Sequence, residues 1–343
     1  MANTKPVISI ITPSYNRKEE IEHLVRSLQA QTVEHHLFEH IISDDGSTDG
    51  TRERVEDLRR EVDFPLIFLT QENQGPGAAR NHGIERARGD LLLFIDSDCE
   101  AHPEWVETIY REYTHRPFDA CGGPDGAKSD FSALQQAINY AMTSFFTTGG
   151  MRGHSAKMLA KFYPRSHNMG MTRTLVEQVG GFGDLRHGQD IELSYRIRKA
   201  GADIRFIPGA LVYHRRRTTL KRFFKQVFNW GVARINLGKI DSSLLEPIHF
   251  LPSLATIVMA YVLVGWLISP ERFGGWITIG LLALLALGIH AAIQSRRLDV
   301  GLLTLVTIPI QIVGYGLGFI SAFVRRYVIG QGVWTGFTKR YYS

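Results

Sequence analysis

Apolar and polar positions alternate in two rhythms along the first part of the chain. Val7 to Thr12 (VISIIT) is a β-branched run stopped by Pro13, which predicts a short strand. In the next segment Ile21, Leu24, Val25 and Leu28 fall at i, i+3, i+4 and i+7, the apolar face of a helix. The pair then repeats. Glu39 to Ser43 predicts a strand that ends in DDGSTDG, with a helix from about Thr51. Leu66 to Leu69 predicts another, ending near ENQGPG and followed by a helix over Ala78 to Ala87, and LLLFID closes a fourth strand. Strands alternating with helices imply an α/β fold with a mostly parallel central sheet and right-handed crossovers. Further on, Asp190, Leu193, Ile197 and Ala200 share helical spacing, with Asp190 at the start and Gly201 placed to end the helix.

The pattern changes after Pro247. Three apolar stretches follow, Pro247 to Ile268, Trp276 to Ile293 and Val300 to Val324. Each approaches the ~20 residues that a helix needs to cross a bilayer. One such stretch is compatible with a buried helix of a soluble protein; three in succession predict a multi-pass membrane region over 247–324. The chain is expected to divide into a catalytic domain (1–213), a basic segment (214–246), the membrane helices and a basic tail (325–343). No apolar signal segment precedes Pro6 and Val7, so the first domain is expected on the cytoplasmic side.

Charge refines this picture. The chain of 343 residues carries a formal +5, but the cations are clustered. Between Ile204 and Ile240 stand Arg205, Arg215, Arg216, Arg217, Lys221, Arg222, Lys225, Arg234 and Lys239, with no Asp or Glu. Such a block suits a polyanion, either nucleic acid or an anionic membrane face. Its aromatic neighbours Phe223, Phe224, Phe228 and Trp230, and the apolar stretches that follow, select an amphipathic helix against anionic lipids and exclude a nucleic-acid partner. Cys99 and Cys121 lack metal-binding spacing. Three full spans are the expected arrangement, yet they place the tail cations Arg325, Arg326, Lys339 and Arg340 outside, against the positive-inside rule. Two spans satisfy the tail if Trp276 to Ile293, or the stretch interrupted by Pro309, is irregular.

Ligands of parallel sheets bind outside the carboxyl ends of the strands, and the polar clusters all fall there. After the first strand come Tyr15 to Arg17, after the second Asp44 and Asp45. Asn73 to Gly77 follow the third, and Asp96 and Asp98 the fourth. Asp96 and Asp98 are i, i+2 neighbours, whose carboxylates can converge on one side of an extended chain. They are oxygen ligands suited to Mg²⁺ or Mn²⁺. Asp44 or Asp45 can accept from a base or ribose, while Asp49 is placed to cap a helix. Gly75 and Gly77 allow close backbone approach, and Arg80 with Asn81 can face a phosphate or sugar. Asp190 is the candidate general base, with Glu192 next in line. His214 is a further candidate metal or diphosphate ligand. No G-x-x-x-x-G-K-[ST] or G-x-G-x-x-G loop is present.

Taken in order, TPSYNR, DDGSTDG, GPGAARNHGI, DSD and GGFGDLRHGQDIELSYR resemble glycosyltransferase family 2, the inverting GT-A enzymes, over about Val7 to Trp230. The resemblance implies a GT-A nucleotide-sugar-binding fold, a nucleoside-diphosphate-sugar donor held by Pro13, Tyr15, Arg17, Asp44, Asp45, Asn73, Gly75, Arg80 and Asp96, and a divalent Mg or Mn cation on Asp96 and Asp98. It also implies Asp190 as the base that deprotonates the acceptor hydroxyl, with Gln189 standing where many members carry Glu. Gln226 and Trp230 in KQVFNWG match part of the acceptor-side Q-x-x-R-W motif of processive members, with Asn229 in place of Arg. The expected activity is transfer of one sugar at a time to a lipid-linked or glycan acceptor in cell-envelope glycan synthesis. The alternatives are a processive polysaccharide synthase and a catalytically silent membrane scaffold.

Overall fold

A computed structural model describes residues 5–126, 131–148, 162, 164–214 and 219–337. In chain order the elements are β1 (Ile8–Ser14), α1 (Lys18–Gln29), β2 (Phe38–Asp44), α2 (Thr51–Arg59), β3 (Leu66–Thr70), α3 (Pro76–Arg86), β4 (Leu91–Phe94), β5 (Cys99–Ala101), α4 (Trp105–His115), β6 (Ala120–Gly122) and β7 (Asp125–Gly126). They continue with α5 (Ala133–Thr143), α6 (Phe145–Thr148), β8 (Met169–Thr172), α7 (Arg173–Val179), α8 (Gln189–Lys199), β9 (Ile204–Phe206) and β10 (Val212–His214). Last come α9 (Leu220–Ile240), α10 (Leu251–Ile268), α11 (Pro270–Ser295) and α12 (Leu298–Phe323).

Seven strands form one sheet in the order β3-β2-β1-β4-β8-β6-β9. From β3 to β4 all neighbours are parallel, and β8 enters antiparallel to both β4 and β6. The register aligns Ser14 with Asp44 and Asp44 with Thr70, so three loops leave the sheet at one level. The buried run Leu91 to Phe94 ends where the chain turns out of the sheet: Cys99 N–H donates to the Asp96 carbonyl at 3.0 Å. The fourth strand is therefore shorter than LLLFID, because Ile95 and Asp96 already belong to that exit. α3 starts two residues before the predicted Ala78, with Pro76 in its first turn, where a missing N–H costs nothing.

β5, β10 and β7 make a second, three-stranded sheet in that order. β10 runs antiparallel to β5, with His214 opposite Cys99, and parallel to β7, with Val212 opposite Asp125. The last residues of β10 are thereby set beside the acidic end of β4.

The apolar core lies on both faces of the large sheet. α1, α2 and α4 cover one face through Leu24, Val25, Leu28, Val55, Leu58 and Trp105; α7 and α8 cover the other through Leu175, Val176, Leu193 and Ile197. One buried group in β2 ties stability to pH. His40 is 0% exposed and meets Thr12 Oγ1 through Nε2 at 3.0 Å. Burial pushes its imidazole down to about 3. An unfolded His titrates near ~6.5, so between those values the unfolded chain takes up a proton that the folded chain refuses. His40 therefore contributes nothing unfavourable above ~6.5 and subtracts up to ~1.4 kcal/mol of stability for each pH unit below it. His40→Gln is expected to flatten the acid limb of a stability profile measured by denaturant unfolding; an unchanged limb would assign the proton uptake elsewhere.

The chain separates into two compact units, 1–126 with 154–215, and 127–153 with 216–341. The first domain was expected to be continuous to residue 213, but α5 and α6 belong to the second unit, because α5 packs Ile138 and Met142 against Phe223 and Val227 of α9. α9 also differs from a helix whose apolar face is left for lipid. Phe223, Val227, Val232, Ile235 and Leu237 are buried within this unit, and Gly231 approaches α12 so closely that a Cβ would lie 2.2 Å from the Tyr315 carbonyl. Its exposed cations are Lys221, Arg222, Lys225 and Lys239; Arg215 to Arg217, and the tail residues Lys339 and Arg340, lie outside the described residues. Three helices, Pro247–Ile268, Pro270–Ser295 and Leu298–Val328, are long and apolar enough to cross a membrane.

Candidate active site

The loops after β1 and β2 are stitched to each other. Asn16, with a left-handed φ of 51°, donates its N–H to Ser47 Oγ at 2.7 Å and accepts from Thr48 N–H at 2.8 Å through Oδ1. Pro13 is buried inside β1 opposite Ser43, Tyr15 is half-buried beyond it, and Arg17 pairs with Glu20 at 2.6 Å. Asp44 closes its own turn, accepting from Gly46 N–H, Ser47 N–H and Ser47 Oγ. Asp49 accepts from Thr51 N–H and Oγ1 at the start of α2 and from Lys18 N–H.

Asp45 reaches the other way. It is fully buried and accepts from Gln71 Nε2 at 2.8 Å, Gln74 N–H at 2.9 Å and Gly75 N–H at 2.7 Å. Asn73 Nδ2 donates to the Asp45 carbonyl at 3.1 Å. The ENQGPG loop is thus held by one carboxylate at the end of β2. Gly77, in the first turn of α3, has a separate constraint: a Cβ there would stand 2.5 Å from Gln189 Nε2. The loop entering α3 and the start of α8 therefore abut.

Arg80 is 5% exposed and lies between α3 and the end of β4. Nη2 donates to Asp96 Oδ1 at 2.5 Å, Nη1 to the Pro76 carbonyl at 3.3 Å, and the guanidinium sits 5.0 Å from the centre of the Phe182 ring. Its Nε is buried and has no partner among the described residues. Asn81 exchanges two bonds with the Phe182 backbone, at 2.9 and 2.8 Å, and so fixes the GGFGD loop on α3.

Asp98 meets His214. His214 Nε2 lies 3.2 Å from Asp98 Oδ1, both about one-sixth exposed, as the β5–β10 register requires. Two residues outside the sequence expectations join them. The His167 ring lies over that of His214 with centroids 5.0 Å apart, and His167 Nε2 is 3.8 Å from Asp125 Oδ1. Potential ligand atoms of Asp98, Cys99 and His214 lie within 4.8 Å of one another, as do those of Asp125, His167 and His214. Carboxylate oxygens and imidazole nitrogens converging in this way fit a divalent cation, and the imidazoles favour a transition ion over Mg²⁺.

Asp190 sits in the first turn of α8, with Arg165 Nη1 3.5 Å from its Oδ2. Glu192 is committed to Arg196 by bonds of 2.7 and 2.8 Å, and Arg196 also donates to the Gly181 carbonyl. Arg165 and His167 flank a turn closed by Asn168, which is 2% exposed and bonds Trp105 Nε1, the Pro124 carbonyl and the Ala210 carbonyl at 2.8–3.0 Å. Nothing in the spacing of PRSHN marks these residues. Gln226 and Trp230 lie on α9 in the second unit, Gln226 half-buried and Trp230 packed against Phe223 and Val227.

Residues 9–180 match the description Glycosyl transferase family 2. The chain belongs to that family, and it is an enzyme of the GT-A type. It is 28% identical over 274 residues to the glycosyltransferase AglE of Haloferax volcanii, covering 80% of this chain and 85% of that one. It is 36% identical over 108 residues to the GalNAc(5)-diNAcBac-PP-undecaprenol beta-1,3-glucosyltransferase of Campylobacter jejuni, covering 31% of this chain and 34% of that relative. A similar solved fold is that of the mannosyltransferase PcManGT of Pyrobaculum calidifontis in complex with GDP-Man and Mn²⁺, with a TM-score of 0.64, 17% identity and coverage of 89% and 88% of the two chains.

Proposed function

We propose that this chain moves a single sugar from a nucleoside-diphosphate-sugar to a lipid-linked or glycan acceptor, with inversion at the anomeric carbon, in cell-envelope glycan synthesis. The observation that carries the reading is the approach of Asp98 and His214 beside the Arg80–Asp96 pair, 3.2 and 2.5 Å respectively, at the carboxyl end of β4. The lipid-linked acceptor takes support from the Campylobacter relative, whose name specifies an undecaprenol-linked substrate. The donor class takes support from the ligand in the PcManGT complex.

The loops tied by Asp44 and Asp45 border the base and ribose, and Arg80 keeps Asp96 oriented toward the donor. Asp98 and His214 would hold the cation, which when bound neutralises charge on the departing diphosphate. The acceptor hydroxyl oxygen attacks the anomeric carbon as the bond to diphosphate breaks, and Asp190 takes the hydroxyl proton. Arg165 orients the Asp190 carboxylate. The exposed cations of α9 face anionic lipid, with the catalytic unit in the cytoplasm.

Thermal shifts across UDP-, GDP- and dTDP-sugars, each with Mn²⁺ or Mg²⁺, test the reading. One donor class is expected to raise Tm more with Mn²⁺ than with Mg²⁺, and Asp98→Asn to remove the metal-dependent part of the shift while the unliganded Tm is kept. No donor-dependent shift with any nucleotide would overturn it.

A further inference from the structure

The three apolar helices of the second unit are not equally exposed. Of the most apolar window in α10 and in α11 only 11% is buried, against 39% in α12. The contacts of α12 explain the difference. Its last part lies on the first turns of α10: the Phe250 and Phe319 rings are 5.0 Å apart, Thr256 Oγ1 donates to the Ile312 carbonyl at 3.2 Å, and a Cβ on Gly316 would stand 2.8 Å from the Pro252 carbonyl. Its first part lies on the last turns of α11: a Cβ on Gly301 would stand 2.7 Å from the Gly288 carbonyl, and Ala291 packs with Ile308. The far end of the α10–α11 pair is a tight reversal, with Ser269 alone between the helices and Phe273 folded against Gly265 and Tyr261.

α12 thus runs across the open end of a hairpin, from the end of α11 to the start of α10. α9 covers another side of it as far as its end, where Lys239 stands 3.8 Å from the Tyr327 ring and Asn236 Nδ2 donates to the Trp334 carbonyl at 2.8 Å. Three full crossings would hold the start of α10 and the end of α12 on opposite faces, about 30 Å apart. Here the two ends touch.

We propose that α10 and α11 cross the bilayer as a hairpin, that α12 lies along α9 at the membrane face across the hairpin's base, and that the chain leaves the membrane on the face it entered. Leu302, Val306 and Leu317 of α12 are exposed for the lipid boundary, while Thr304 and Thr307 are fully buried. The arrangement sets Arg325 and Arg326 on the same face as Lys239, beside Tyr327 and Trp334, a cation and aromatic band suited to headgroups. The two-span alternative named from the sequence is the one selected, with the Pro309-bearing stretch as the segment that does not cross. Pro309 stands inside α12 without ending it.

Single-cysteine labelling of the full chain with an impermeant maleimide, in right-side-out and inverted vesicles, tests this without any enzymatic readout. Ser242→Cys and Leu298→Cys replace exposed side chains, and Gly274→Cys and Gly332→Cys add a Cβ where nothing lies within 4 Å. Cys99 and Cys121 are buried, and burial pushes the Cys121 thiol up to about 12, so the parent protein supplies a low background. Labelling of positions 242, 298 and 332 from one face and of 274 from the other is expected. Position 332 or 298 reacting on the face opposite 242, or 274 reacting on the same face as 242, overturns the proposal.

Discussion

Replacing Asp190 with Asn is expected to lower turnover by about 10²–10⁴-fold, the range associated with loss of a positioned general base, while donor affinity stays at the parent value. The amide keeps the shape and the contact with Arg165 but cannot take the hydroxyl proton, so only an interaction made in the transition state disappears. Calorimetric donor binding beside a labelled-sugar transfer assay separates the two effects. Glu192→Gln is the matched control. Its carboxylate is already engaged with Arg196 across one helical turn, so the change acts on the stability of α8 and not on transfer. If Asp190→Asn kept full turnover, another group would be the base.

The second large effect belongs to Asp45. Asp45→Ala would leave Gln71 Nε2, Gln74 N–H and Gly75 N–H without their acceptor at a site that is 0% exposed. Gly75 is buried, whereas Gln71 is half-buried and Gln74 exposed; an unmet buried donor costs ~1–3 kcal/mol, so a loss of roughly 1–3 kcal/mol is expected, read as a fall in the unfolding midpoint. Asp45→Asn retains an acceptor oxygen and should lose less. Equal midpoints for Asp45→Ala and the parent protein would show that the loop does not depend on this carboxylate. Because Gly75 opens α3, which carries Arg80, the alanine variant is also expected to weaken donor binding.

The first four strands are legible because their signals are local: β-branched runs, a stop at Pro13, and Asp and Gly clusters at each exit. Asp98 and His214 were named from distant segments for their chemistry; their approach within 3.2 Å depends on a β5–β10 pairing that no local pattern encodes. Asp125, His167 and Arg165 were not legible for the same reason. They are gathered by β8 entering antiparallel between β4 and β6 and by the buried side chain of Asn168, contacts set by chain reversal instead of periodicity. The basic segment shows the converse case. Its helix and its alternating cations and aromatics are readable, but an apolar face looks alike whether it meets lipid or a partner helix. The glycines Gly314, Gly316 and Gly318 of α12, which make room for α9 and α10, decide that question only once both helices are in place.

The abutment of Gly77 and Gln189 constrains how this enzyme can change. A side chain at 77 larger than hydrogen fits only if the flexible Gln189 amide swings away from the Gly183 carbonyl, which it meets at 3.0 Å. A substitution at either position is therefore judged against the occupant of the other, although one lies in the loop assigned to the donor and the other beside Asp190. Among relatives, chains that gain bulk at the first position are expected to have shortened the second. The contact links the loop proposed for the donor to the start of α8, so a change made at one is felt beside Asp190 at the other.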